Sequence, residues 1–345
     1  MLKMTRFSAG LLVCAALAAA IPALAQSYSI LAVPSLNGGF NQGNAINPSG
    51  HVAGTSAGNP EQGFFYNGTS VIGVGVLPVP PINSLYSEAW GINASDEVVG
   101  ETQTGEGYAM LYSGGKLVSL APAGQSLSFA LGINKTGQVV GYYATLGYQY
   151  SAFLWTPKQP NGTSGTFAAL GDKLGGTYSV GSAINDSGQV VGAATVTNGN
   201  LHGFLYSAGK MTDLGTFGGI DSYALAINNA GQVVGWSDLS TQVGHAFLYS
   251  GGKMTDLGTL PKATGTSATS INNFSEIVGI AYYGSHVTQR RAVIFNAAGP
   301  VDLNTLIPSG TGWILLQANG VNDAGQIVGT GLLNGIIRAF LLTPR

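Results

Sequence analysis

Seven copies of one short pattern govern what this chain can fold into. An Ile or Val followed by Asn, a tight turn and a Val-Val-Gly-like segment recur at Asn47, Asn93, Asn134, Asn185, Asn228, Asn272 and Asn322. The spacings are 46, 41, 51, 43, 44 and 50 residues. A unit of this length cannot bury its apolar face alone and must stack on its neighbours. A second segment, small-aromatic-aliphatic-aromatic, keeps step with the first, as in Gly203-Phe204-Leu205-Tyr206 and Ala246-Phe247-Leu248-Tyr249. A third follows a further tight turn, as in Lys210-Met211-Thr212-Asp213-Leu214-Gly215 and Lys253-Met254-Thr255-Asp256-Leu257-Gly258. Short apolar runs broken by Gly, Asn and Ser read as strands. Each unit therefore holds four strands, here A to D from first to last.

The turns are written in the residues. Between A and B stands Asn-x-x-Gly, where Asn accepts from the backbone two residues on and Gly takes positive φ. Asp96 and Ser275 replace that Gly, and the left-handed region should strain Ser275 mildly. Ser-Gly-Gly-Lys at 113–116 and 250–253 marks C-to-D hairpins. Two and four residues before each repeat Asn every residue is Ala, Gly or Ser. Period-two alternation predicts that these positions share one face, and a face so small places strand A at a crowded axis. Four antiparallel strands per unit, seven times, predict an all-β seven-bladed β-propeller occupying 26–345 as one domain. A β-solenoid is the alternative, although its coils use fewer residues. The last complete strand, Ala339 to Leu342, is of C type. Residues at about 28–33 resemble a D strand, so the N-terminal strand is expected to complete the seventh blade.

These motifs resemble the HAF family of probable extracellular bacterial repeat proteins. The resemblance rests on His245-Ala246-Phe247, His202-Gly203-Phe204, Ile-Asn-x-x-Gly-Gln-Val-Val-Gly and Met-x-Asp-Leu-Gly-Thr-Leu/Phe, and spans nearly all of 26–345. It implies export and repeat architecture, and carries over no catalytic residue.

Composition agrees with export. Residues 1–25 read as a signal peptide, with Lys3 and Arg6 ahead of an apolar stretch from Ala9 to Ala20 and a small-x-small site at Ala23-Leu24-Ala25. Its removal takes Lys3, Arg6 and Cys14, leaving 320 residues with net charge −4 and no thiol or disulfide. An extracellular or periplasmic location is expected, with no membrane anchor once the signal is gone. Only 8% of residues are charged and no basic run exists, so no nucleic-acid partner is expected.

Chemistry is sparse. No serine-hydrolase elbow, zinc-protease motif or phosphate loop occurs; no catalytic residue, metal site or cofactor is expected. His202 and His245 share one repeat position that other units fill with Gln62, Tyr108, Ser151, Arg291 and Arg338, which reads as solvated. Asp213, Asp256 and Asp302 share another and read as charges guarding an outer edge. Glu101 and Glu106 are the two acids the repeat does not explain. Aromatics gather in the B-to-C loops: Tyr142, Tyr143, Tyr148 and Tyr150 in one, Tyr282, Tyr283 and His286 in another, and Trp236 at the start of a third. Aromatic loops with few charges suit sugar stacking or an apolar partner surface. The sequence thus points to a secreted, non-enzymatic binding scaffold for a glycan or an extracellular protein. The alternatives are a hydrolase or lyase with its site at the central funnel, which needs acids converging there, and an extracellular structural protein.

Overall fold

A computed structural model describes residues 27–58, 60–77, 86–103, 107–121, 127–145 and 149–345. The expected signal segment 1–25, together with Glu106 and Tyr148, lies outside the described residues. Seven four-stranded antiparallel sheets form a ring. Among the described residues the helices are two 3-10 turns, Val287–Gln289 and Leu303–Thr305. The chain is an all-β seven-bladed propeller, and the solenoid alternative falls away.

Blade 1 is typical, with strands Asn41–Ile46, Val52–Ser56, Gln62–Tyr66 and Val71–Gly73 from axis to rim. The inner strands of blades 2 to 7 are Tyr86–Ile92, Ser128–Ile133, Gly175–Ile184, Gly218–Ile227, Gly265–Ile271 and Trp313–Val321. The outer strand of blade 7 is Tyr28–Ala32, paired with Ile336–Pro344 in a register that sets Tyr28 against Pro344 and Ala32 against Phe340. Tyr28 and Val33 are buried there. The two ends of the chain therefore close the ring together.

The inner strand corrects the period-two expectation. In all seven blades a bulge separates the two small positions, as between Ala89 and Gly91 or Ala224 and Ala226. One extra residue reverses the alternation, so the two positions face opposite ways. A Cβ on Gly43, four before its Asn, would press on Val328 and Ala339 of the preceding blade. One on Gly91, two before its Asn, would press on Leu131 and Gly132 of the following blade. Both must be small because each meets a neighbouring backbone. The bulged residue between them turns into the channel or bonds across to the next blade. Asn44 Nδ2 donates to the Ala89 carbonyl at 2.8 Å, Thr269 Oγ1 to Ala318 at 2.6 Å and Asn319 Nδ2 to Gly43 at 2.7 Å. Trp90 occupies this position in blade 2 and is 38% exposed in the channel.

The bulge also explains the Val-Val-Gly glycine. It carries an inner-strand carbonyl over strand B, so a Cβ on Gly100 would overlap the Glu88 oxygen, and one on Gly235 the Tyr223 oxygen. The freed space takes a strand C side chain, Phe64, Met110, Phe153, Phe204, Phe247 or Phe340, each fully buried. Before each of these stands the small residue, whose N–H donates to a buried side-chain oxygen of the next blade. Gly63, Ala109, Ala152 and Gly203 donate to Ser87, Ser128, Ser179 and Ser222, Ala246 to Thr266 and Ala339 to Asn41, at 2.9 to 3.1 Å.

The closure has a direct test. Deleting residues 26–36 strips blade 7 of its outer strand and exposes the Tyr28 site. We expect the melting temperature to fall by about 10 °C or more, since roughly 2 °C accompanies each kcal/mol in a domain this large. Thermal melting of the truncated chain checks this, and unchanged melting would show that the pairing is dispensable.

Candidate functional site

The A-to-B and C-to-D turns lie at one end of the ring, labelled the narrow face; the end that carries the B-to-C and D-to-A connections is labelled the wide face. At the narrow face the channel mouth is ringed by the repeat asparagines and the residues after them. Lys135, Asp186, Asn229, Asn273 and Asp323 form a continuous hydrogen-bonded belt. Asp186 and Asp323, which begin the turns after Asn185 and Asn322, are spent within it.

The outer rim holds the histidines. His202 Nδ1 meets Asp213 at 2.9 Å and His245 Nδ1 meets Asp256 at 2.8 Å. The same aspartates accept from the N–H of Gly215 and Gly258 at 2.7 Å. This corrects the reading of a merely solvated position: the pair pins strand C to strand D of its own blade. Asp302, at the equivalent place in blade 6, accepts from the Asn304 N–H of a 3-10 turn.

The wide face gathers the aromatics. Phe129 stacks on Tyr142 at 4.7 Å, Tyr142 meets Tyr150 edge-on at 5.1 Å, and Tyr150 meets Tyr178 at 6.0 Å. In blade 5, Tyr223 stacks on Trp236 at 6.5 Å. Tyr142, Tyr178 and Tyr223 all have their phenols pushed up, chiefly by burial, and each feels another member of the group. They form one arc across blades 3 to 5. Tyr143 points the other way, edge-on to Phe167 at 5.2 Å and against the core between blades 2 and 3. Tyr282 lies under the Arg290 guanidinium at 5.6 Å, and Arg290 donates to Gln317 at 3.2 Å. Tyr283 packs beside the core between blades 5 and 6 and lines a separate recess with Arg291. His286 is exposed at the start of a 3-10 turn.

Beside the arc sits a pair of carboxyls. Glu88 and Glu101 are cross-strand partners in blade 2 and hydrogen-bond to each other. Directly opposed carboxylates repel, which favours a proton on one of them. Burial pushes the Glu101 carboxyl up to about 7, against a hydrogen bond from Gln103 that lowers it, and the charge of Glu88 adds to the rise. Burial also raises Glu88, followed by the charge of Glu61, while its bond with Glu101 acts downward. Sequence reasoning misses Glu88 because it stands inside a repeat strand. Its signal was available: six units place Gln42, Phe129, Val180, Tyr223, Ser267 and Gln317 there, none of them charged.

The pattern of the DUF3466 family, described as a protein of unknown function, matches residues 124–335. This chain is a DUF3466 protein. No curated protein matches it. Among solved structures, a puromycin-hydrolysing peptidase of Mycobacterium tuberculosis superposes with a TM-score of 0.52 at 11% identity, covering 85% of this chain and 48% of that one. An acylaminoacyl peptidase of Pyrococcus horikoshii gives 0.51 at 8%, covering 88% and 52%. The BP39L lectin of Burkholderia pseudomallei gives 0.41 at 11%, covering 86% and 96%. The DUF3466 chain spans about half the length of the two peptidases, and likeness at these identities concerns the propeller fold alone.

The carboxyl pair predicts a pH response. The folded protein keeps on Glu101 a proton that the unfolded chain releases near 4.5, so the native state binds more protons between there and about 7. Stability from this group is therefore lost as pH rises through that window. Wild-type protein should melt lower at pH 8 than at pH 5, and Glu101→Gln should narrow the difference. Melting curves of both proteins at the two pH values check this.

Proposed function

We propose that this protein is an exported, non-enzymatic propeller that binds glycans through its wide face. The observation that carries the reading is the arc of Phe129, Tyr142, Tyr150 and Tyr178, continued by Tyr223 and Trp236. Aromatic rings held by one another lose little freedom on binding and offer flat apolar faces to the C–H side of a sugar ring. Glu88 and Gln317, at equivalent inner-strand positions of blades 2 and 7, and Arg290, which bonds Gln317, carry acceptors and donors of the kind that hydroxyl groups require. The export segment read in residues 1–25 suits a ligand met outside the cytoplasm.

The carboxyl pair favours binding over glycoside hydrolysis. Hydrolysis uses carboxyls about 5–9.5 Å apart, with the sugar or a water between them. Glu88 and Glu101 are in direct hydrogen-bonding reach and leave no such gap.

A glycan array probed with the full chain tests the reading. Saturable binding to a subset of glycans is expected. Each lost stacking contact is worth about 0.5–1.5 kcal/mol, so Tyr142→Ala should weaken binding roughly tenfold. His202→Ala, on the outer rim, should bind as wild type. An array without any bound glycan, or Tyr142→Ala binding undiminished, would contradict the proposal; an apolar protein partner would then be the better occupant.

A further inference from the structure

A groove of about 380 Å³ opens on the wide face between blades 5 and 6, with Trp236 and Asp238 on the blade 5 wall and Thr264 and Gly265 on the blade 6 wall. Its floor is open because three glycines line it, Gly244, Gly265 and Gly284. Gly265 has to be glycine, since a Cβ there would come within 2.8 Å of the Gly244 carbonyl. Gly244 does not. A Cβ on Gly244 would meet only Asp238 Oδ1 and the Trp236 ring, both at 3.7 Å, an ordinary contact. The same strand position holds Tyr150, Leu201 and Arg290 in blades 3, 4 and 6, each opposite the same place on strand B as Gly244 is to Asp238. In blade 2 it is Gly107, where a Cβ would lie 3.0 Å from Glu101 and 3.2 Å from Phe129. Of these five blades, blade 5 alone leaves the slot both empty and roomy.

The groups facing the groove are mostly acceptors. Asp238 takes one long bond of 3.3 Å from the Asp221 N–H. Among the described residues it has no cationic partner within 4 Å. Thr264 and Thr266 already donate to the carbonyls of Tyr282 and Gly258. The ligand must therefore bring hydroxyl donors of its own and one apolar face for the indole. Two vicinal hydroxyls match the two oxygens of a carboxylate. The volume lies near the lower end of small-molecule sites, about 300–1,000 Å³, which suits one ring and not a chain.

We infer that this groove is a subsite for a single uncharged hexopyranose, stacked on Trp236 and held by vicinal hydroxyls on Asp238. The inference rests on the glycan reading of the wide face and adds the place, size and charge of the sugar unit recognised.

Titration of the full chain with glucose, galactose, mannose, fucose and N-acetylglucosamine tests it, read by tryptophan fluorescence and by saturation-transfer NMR. At least one of these sugars is expected to saturate in the millimolar range or tighter. Gly244→Leu, which fills the slot from an open position, should retain wild-type melting and weaken that sugar at least tenfold. Asp238→Asn should weaken it as well, while His202→Ala should leave it unchanged. If the array shows glycan binding but Gly244→Leu binds every sugar as wild type does, the subsite is overturned and the wide-face reading stands. If neither the array nor the five sugars give binding, both fall. Binding of glucosamine with all five uncharged sugars silent would overturn the inference in favour of a cationic ligand.

Discussion

One side-chain amide, repeated seven times, ties the ring together. Asn47 Nδ2 donates to the Asn93 carbonyl, Asn93 to Asn134, Asn134 to Asn185, and so on through Asn228, Asn272 and Asn322, whose Nδ2 returns to the Asn47 carbonyl. All seven bonds are 2.9 to 3.1 Å long and buried. The Oδ1 of each asparagine accepts two backbone N–H groups of its own turn, as Asn228 does from Ala230 and Gln232. The second N–H goes to the side chain four residues on, such as Gln232 Oε1 at 2.7 Å. Every hydrogen-bonding capacity of the amide is used, so the residue that shapes the turn also fixes the distance to the next blade. A net gain of about 1 kcal/mol per bond is modest. Leaving several of these buried groups unpaired costs far more.

Blade 1 shows how strict the requirement is. His51 stands where the other blades have Gln or Glu and does not satisfy the second Asn47 N–H. Asp96 of the next blade does so instead, at 2.7 Å, and also holds His51 at 2.8 Å. The cost is a non-glycine residue at φ 60°, and the departure from Asn-x-x-Gly is thereby explained. Ser275, at φ 65°, is held by a bond of its hydroxyl to Gln232 at 2.7 Å. With the axis fixed in this way, the ends of the inner strands become a rigid platform for the aromatic arc and the carboxyl pair.

Blade number, strand order, turn chemistry and closure by Tyr28–Ala32 could be read in the sequence because each depends on local residues at fixed spacing. What escaped depends on contacts between units. The bulge adds one residue at a place where strict alternation still looks plausible, so the sequence pattern alone sets the two small positions on one face. The buried oxygens of Ser87, Ser128, Ser179, Ser222 and Thr266 stand six residues before their asparagines and were legible as a pattern, but their purpose needs the neighbouring blade. The His202–Asp213 and His245–Asp256 pairs lie eleven residues apart across a hairpin, so neither repeat position by itself reveals its partner. Among the candidate aromatics, spacing alone could not tell that Tyr142 and Trp236 face the wide mouth while Tyr143 turns into the core.

The ring of amides is most directly tested by urea unfolding of Asn228→Asp. The carboxylate keeps the oxygen that accepts from Ala230 and Gln232, and loses both donors, one of them the bond to blade 6. The account predicts a loss of about 2–4 kcal/mol. Stability within about 0.5 kcal/mol of wild type would show that the asparagine only shapes its own turn, and that something else holds the blades in register.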